Sequence, residues 1–334
     1  MPIVPFQREM CSQAGELLAL RHRQDRARFP LLPSSFENPV VAHDAIEAYW
    51  NKPERQGVAM IEEGCLLGYL LGEMVLDQQW GRSAWMHPHG CAIAPDQNME
   101  VLCELYAALG SMWVQRGIFT HFALMPAGDQ AFLNGWHSLS FGIEQTHALL
   151  DMTRFDMPKP VLEQGVTIRR ATPEDADTLR GLADILWLHL TQAPVWAVSL
   201  PENEEKRREG YAKLLTEENT RVWLAFVEVK PAGLQTFSPE PMSAEDLITP
   251  ENCLYFGVAA MREEYRSRGI AKALFYHGMQ EGLAQGYKVA ETDWRTTNLL
   301  ANRAWQTVGF KAVLSRLVRR IDTRIAWGNG GWQE

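Results

Sequence analysis

The chain has 334 residues, 46% of them hydrophobic and 22% charged, which excludes a largely disordered chain or a fibrous repeat. That length suits about two domains of ~150 residues, each able to bury a core. With 32 Lys and Arg against 41 Asp and Glu the net charge is −9, so general nucleic-acid binding, which needs a broad basic surface, is excluded and any bound anion must meet a local basic cluster.

The first predicted helix covers 8–26 and is followed by a proline-rich loop around Phe29-Pro30-Leu31-Leu32-Pro33. Strand patterns then fall at 57–61, 66–75 and 83–93, a helix at 99–115, a strand at 119–125, a short helix up to Trp136, and a strand at 141–152. The segment 158–165, with two prolines flanking Lys159 nearby and no periodicity, reads as a linker between domains at 1–157 and 166–334. The second domain opens with a strand at 166–170. A helix follows, with Thr172 as its N-cap, Pro173 in the first turn and acids near its positive end. A charged helix at 202–218 precedes a β-hairpin, 221–228 and 233–237, that turns at Lys230-Pro231. After an acidic loop at 238–252 come a buried strand at 254–261 and a long helix beginning near Ala271. In that helix Ala271, Leu274, Phe275, Gly278, Met279, Gly282 and Leu283 form one apolar stripe, in which the two glycines allow close approach to a sheet. A strand at 288–294, a helix at 298–308 closed by Gly309, and a strand at 310–321 complete the order. The two halves thus run through similar elements. An offset of 169 lays Trp136 and Phe141 on Trp305 and Phe310, and Asp129 on Asn298, which points to an internal duplication.

The segment most informative about chemistry is Tyr265-Arg266-Ser267-Arg268-Gly269-Ile270-Ala271-Lys272, of the form R-x-x-G-x-A between a strand and a helix. A helix start presents free N–H groups and the positive end of the dipole. Gly269 and the small Ala271 let a phosphate approach the backbone, and Arg262, Arg266, Arg268 and Lys272 make a basic cluster on an acidic chain. This segment resembles motif A of the GNAT superfamily of N-acetyltransferases, which cradles the pyrophosphate of acetyl-CoA. Downstream, Asn298-x-x-Ala301-x-x-Ala304-Trp305-x-x-x-Gly309-Phe310 resembles the family's motif B at the proper distance. The resemblance implies an α/β (α+β) fold of two GNAT-like domains, each a mixed, mostly antiparallel sheet flanked by helices.

By the same resemblance, acetyl-CoA is the co-substrate and no metal is required. The strand ending at Met261 would splay from its neighbour to admit the pantetheine arm, with backbone groups near Met261 bonding it. Its other contacts would come from Arg262, Arg266, Ser267, Arg268, Gly269, Ile270, Ala271, Lys272, Asn298 and Trp305. The base position falls on Asp293, with Glu291 as the second choice on the same strand face. The motif-B tyrosine, the family's proton donor to the leaving thiolate, is Trp305 here, and an indole N–H is no acid near pH 7. The donor is left open between water and a tyrosine elsewhere, such as Tyr255. In the first half the motif-A positions fall on Gln97, Glu100 and Leu102. The glycine is gone and a carboxylate stands where phosphate would sit, so this half reads as a degenerate domain that is structural or shapes a substrate cleft.

Other signals are weaker. His87, His89 and Cys91 alternate as metal ligands would, but without a fourth ligand they read as ordinary strand polar residues. Trp187, His189 and Trp196 either line an acceptor pocket or pack in a core. Arg316, Arg319, Arg320 and Arg324 read as an exposed edge or an interface face. Five dispersed cysteines suggest no disulfide framework, and the N-terminus lacks a signal-peptide pattern, so a cytoplasmic location is expected. The longest apolar run, 65–76, is too short and too interrupted to span a membrane. The expected activity is transfer of acetyl from acetyl-CoA to a primary amine of a small molecule or peptide, without nucleic-acid or membrane partners and with a homodimer as an open option. The alternatives are an acyl-CoA-binding regulatory protein without turnover, and a tandem GNAT with a specialised acceptor, similar to mycothiol synthase.

Overall fold

The computed structural model describes residues 2–328. In chain order the elements are β1 (Ile3–Pro5), α1 (Cys11–Arg28), α2 (Pro39–Trp50), β2 (Arg55–Glu62), β3 (Cys65–Asp77), β4 (Gly81–Met86), β5 (Cys91–Ile93), α3 (Glu100–Gln115), β6 (Thr120–Pro126), α4 (Gln130–Ser138) and β7 (Gly142–Asp151). They continue with β8 (Val166–Arg170), α5 (Ala176–Leu190), α6 (Glu204–Lys213), β9 (Arg221–Val227), β10 (Lys230–Glu240), β11 (Cys253–Met261), α7 (Ile270–Ala284), β12 (Val289–Arg295), α8 (Leu299–Thr307) and β13 (Lys311–Arg320). The fold is a mixed α/β one, with mostly antiparallel strand pairs flanked by helices.

Two compact units are present, and neither is a single stretch of chain. Among the described residues the first comprises 2–147, Met242–Thr249 and 312–328; the second comprises Ala148–Pro241 and Pro250–Lys311. The linker expected at 158–165 lies inside the second unit, and the last strand, expected in a domain of residues 166–334, belongs instead to the first.

In the first unit the strand order is β1-β2-β3-β4-β6-β13, with β5 also on β3. β4 pairs with β6 in parallel, and β13 closes onto β6 antiparallel from Leu314↔Pro126 to Arg320↔Thr120. Leu317 of β13 is fully buried among Leu102, Leu105, Trp113, Trp136 and Phe141 under α3 and α4. A second core under α1 and α2 joins Ala14, Leu18, Ile46 and Tyr49 to Leu247, from the acidic loop at 238–252. Helix α2 lies in a stretch to which the sequence pattern assigns no element, yet its start follows ordinary rules: the Asn38 side chain accepts from Val40 N–H at 3.0 Å and Pro39 occupies the first turn. Arg316, expected at an exposed edge, is buried instead. It donates to Glu144 at 3.0 Å and lies 4.8 Å over the Trp80 ring.

The second unit has the strand order β12-β11-β10-β9-β8, antiparallel except for β11 with β12. Helices α5 and α6 cover one face through Leu179, Leu182, Tyr211, Leu224 and Leu234. The other face carries α7 and α8 through Phe256, Phe275, Met279, Trp294, Trp305 and Phe310. The glycines in the α7 stripe do what the pattern predicts. A Cβ on Gly278 would stand 2.0 Å from the Phe237 ring, and one on Gly282 would stand 2.6 Å from Leu254, so both positions are filled by a strand side chain.

The duplication read at an offset of 169 is visible in detail. Elements β6, α4 and β7 start at 120, 130 and 142, and β12, α8 and β13 start at 289, 299 and 311, each 169 residues later. Asp129 caps α4 by accepting from Phe132 N–H, and Asn298 caps α8 by accepting from Ala301 N–H, both three residues on. The Trp136–Phe141 ring pair, 5.0 Å between centroids, recurs as Trp305–Phe310 at 5.3 Å.

Because Leu317 fills the core of the first unit from the far end of the chain, Leu317→Ala is expected to destabilise that unit by about 2–5 kcal/mol. Hydrogen exchange at β6 amides checks this: protection should fall there before it falls in β9 and β10, and an unchanged β6 pattern would contradict the placement of β13.

Candidate active site

The site is built from the carboxyl ends of β11 and β12 and the start of α7. β11 runs antiparallel to β10 along its whole length, from Cys253↔Glu240 to Met261↔Gly233. Against β12 it keeps only three parallel pairs, Cys253↔Val289, Leu254↔Ala290 and Tyr255↔Glu291. Both strands then continue, β11 to Met261 and β12 to Arg295, so they part beyond the last pair. A bulge helps turn β11 away. The register with β10 shifts between Gln235 and Phe237, leaving Gly257 and Val258 opposite Thr236. The Thr236 hydroxyl accepts from Val258 N–H at 2.8 Å, and a Cβ on Gly257 would lie 2.7 Å from that same oxygen. A glycine inside a strand pattern signals such a bulge, and the sequence reading did not use it.

After Met261 the chain turns tightly into α7. Ser267 (φ 62°) and Gly269 (φ 74°) both adopt the left-handed conformation, and nothing lies within 4 Å of where a Gly269 Cβ would stand. The helical ladder begins with Ala273 N–H bonded to Gly269 O at 3.0 Å, so the amides of Ile270, Ala271 and Lys272 lie ahead of it. Ser267, Gly269, Ala271 and Lys272 are exposed. Ile270 is buried with Ala225, Ala232 and Leu274 and anchors the helix start.

The expected basic cluster is largely committed within the protein. Arg262 donates to Pro231 O at 3.0 Å and to Gly181 O at 3.3 Å, fastening the β9–β10 hairpin to α5. Arg266 donates to Met261 O at 3.3 Å. Arg268 pairs with Glu163 at 2.6 Å and lies over the Tyr265 ring. Backbone amides, more than free guanidinium groups, therefore define the positive end of this site.

The two faces of β12 separate the remaining candidates. Ala290 and Trp294 point into the core beneath α7, and Glu291 and Asp293 point the other way. Glu291 is buried and accepts from the Cys253 thiol at 3.8 Å. Asp293 is half-buried and accepts a hydrogen bond from the Tyr255 hydroxyl. Burial and the neighbouring Asp293 carboxylate push the Tyr255 phenol well above its usual pKa. Trp305 is buried with Trp294, packed 5.9 Å from Phe275 and 5.3 Å from Phe310, on the core face opposite Asp293.

Asn298 is buried at the start of α8. Its Oδ1 caps Ala301 N–H at 3.3 Å and accepts from His189 Nε2 at 3.1 Å. Of the three aromatic residues read together in the sequence, His189 reaches this cap. Trp187 lies 5.7 Å beneath Arg207, and Trp196 is 72% exposed. In the first unit His87 donates from Nε2 to Glu73 at 2.6 Å, His89 bonds the Glu245 carbonyl, and Cys91 is buried. Among the described residues no group of three or more His, Cys, Asp or Glu is placed to hold a metal ion, and no helix is long and apolar enough to cross a membrane.

The sheet is parted at one parallel pair directly ahead of a glycine-led helix start, and comparison with known proteins shows what this arrangement is similar to. Residues 182–310 match the profile of the Acetyltransferase (GNAT) family. Among solved structures, the chain is similar to a GCN5-related N-acetyltransferase from Sphaerobacter thermophilus, at 13% identity and a TM-score of 0.58, covering 100% of this chain and 97% of that one. It is also similar to a tandem GNAT protein from the clavulanic acid biosynthesis pathway, at 15% identity and a TM-score of 0.53, covering 95% and 97%. A search of curated proteins gave no match. Within the second half of the chain, residues 182–310 are thus similar to the GNAT acetyltransferase family, and the whole chain shares the fold of these two structures, one of them a tandem GNAT protein.

Thr236→Val keeps the side-chain volume but removes the acceptor of Val258 N–H, and is expected to cost about 1–3 kcal/mol. Chemical denaturation, with amide exchange at Val258, checks this; a stability equal to wild type would show that the bulge does not depend on the hydroxyl.

Proposed function

We propose that this protein is an acetyl-CoA-dependent N-acetyltransferase acting on a primary amine of a small molecule or peptide, with the cofactor site in the second unit alone. The observation that carries this reading is the parting of β11 from β12 directly ahead of the start of α7, where the first amides precede the helical ladder. The open edges beyond Tyr255 and Glu291 suit an extended amide-bearing arm such as pantetheine. The exposed amides of Ala271 and Lys272, with the open space at Gly269, suit a pyrophosphate. Since Arg268 is already paired with Glu163, these amides are expected to carry most of the anion recognition.

When bound, acetyl-CoA supplies the activated acetyl group. The chain's own residues then orient the acceptor and take its proton. Asp293, half-buried beside the splay, is the base, and Glu291, buried and hydrogen-bonded to Cys253, is the second carboxylate of the same face. Trp305 lies in the core, and its role in this reading is to hold α8 against β12 rather than to touch sulfur. The same burial favours the second reading, an acyl-CoA-binding protein without turnover, because α8 then offers no tyrosine as proton donor.

The first unit supports an uneven division of labour. At the start of α3, Glu100 N–H is bonded to Asn98 Oδ1 at 3.2 Å. Val101 N–H bonds Asn98 O, and Leu102 N–H bonds Met99 O, so these amides are satisfied internally beside a carboxylate. That arrangement opposes phosphate binding.

Two variants test the reading. Gly269→Glu is expected to abolish acetyl-CoA binding in calorimetry, through charge and through side-chain bulk, while costing only about 1–2 kcal/mol of stability for the left-handed backbone; unchanged affinity would overturn the site. Asp293→Ala is expected to slow thiol release with an amine panel by about 10²-fold or more without weakening acetyl-CoA binding. Binding by the wild type without turnover of any amine would favour the second reading.

A further inference from the structure

Where the β11–β12 ladder ends, two side chains extend the cross-strand link, one on each face of the sheet. On the α7 face the Thr292 hydroxyl donates to Phe256 O at 2.8 Å. On the opposite face the Tyr255 hydroxyl donates to Asp293 Oδ1. Tyr255 is the last β11 residue in register with β12, and Asp293 lies two residues past its partner Glu291, so this bond spans the closed end of the splay. With its proton directed at the carboxylate, the phenol oxygen keeps lone pairs with which to accept another hydrogen. The family's usual tyrosine position offers no substitute, since Trp305 is buried on the other face of β12.

We infer that Tyr255 is a catalytic residue that meets the acceptor's nitrogen and relays its proton to Asp293. This inference rests on the acetyltransferase reading above. In the step, the amine nitrogen forms a bond to the acetyl carbon, and the C–S bond breaks with its electron pair leaving on sulfur. The nitrogen gives one proton to Tyr255 Oη, and Tyr255 gives its own proton to Asp293 Oδ1. Asp293 later returns that proton to solvent or to the departing thiolate, so the products are the amide and the free thiol. The charged and titratable groups around the phenol are Asp293 and Glu291 on β12 and Glu240 on β10, with the Cys253 thiol bonded to Glu291. These carboxylates and burial keep Tyr255 protonated, so it can act only by passing one proton while receiving another.

Tyr255→Phe preserves the ring and removes the relay. With an amine that the wild type acetylates, kcat is expected to fall about 10²-fold while KM for acetyl-CoA changes little. The double variant Tyr255→Phe/Asp293→Ala should be no slower than Asp293→Ala alone, as expected of two groups acting as one. Should Tyr255→Phe fail to fold, the wild type still gives an answer where chemistry limits the rate. Two protons in motion make the rate curve with the deuterium fraction of the solvent, and a straight line overturns the relay. Wild-type kcat in Tyr255→Phe, or additive losses in the double variant, overturn the relay and leave the acetyltransferase reading standing. A wild type inert toward every amine overturns both.

Discussion

The site depends on how short one parallel ladder is. Three residue pairs hold β11 to β12, and beyond Tyr255 and Glu291 the two strands share no further register. A longer ladder would close the crevice, and a shorter one would release the end of the sheet that positions Asp293. The protein fixes the length from both sides. The bulge at Gly257 and Val258, secured by the Thr236 hydroxyl, bends β11 along β10, while Thr292 and Tyr255 tie the strands at the point of divergence. Side-chain hydroxyls thus replace the backbone bonds that the splay removes, which limits the cost of leaving strand edges unpaired in the interior.

The chain contains the same scaffold twice, and comparing the copies separates what the fold requires from what a ligand requires. The cap-and-aromatic unit of α4 with Phe141 is repeated in α8 with Phe310, in the same geometry 169 residues on. This unit belongs to the fold. The helix starts differ. α7 begins after a left-handed glycine with its first three amides ahead of the helical ladder, whereas α3 begins with Asn98 and Glu100 and consumes its own amides. Divergence has fallen on the turn into this helix and spared the packing unit.

Much of this was legible in the sequence because it is local. The α7 stripe, its two glycines against Phe237 and Leu254, the turn at Gly269 and the β9–β10 hairpin are each set by residues within a few positions of one another. Helix α2 was equally legible, since Asn38-Pro39 is an ordinary helix opening, but the sequence pattern assigned no element there. Other features had no local signal. Tyr255 and Asp293 are 38 positions apart and meet only through the strand register. The basic cluster looked free in the sequence, and its engagement by Pro231, Met261 and Glu163 appears only when those segments are brought to it. The assignment of β13 to the first unit depends on pairing with β6, which periodicity along one strand cannot reveal.

That last pairing bears on how the protein comes into being. β6 ends at Pro126 and its partner begins at Lys311, 185 residues later, so during synthesis the first unit emerges with an open strand edge and an incomplete core. An unpaired edge of this kind invites association with other chains. The first half is therefore a dependent folder despite being made first. Completion of its sheet and core waits on nearly the whole polypeptide, a long-range closure of the kind that slows folding.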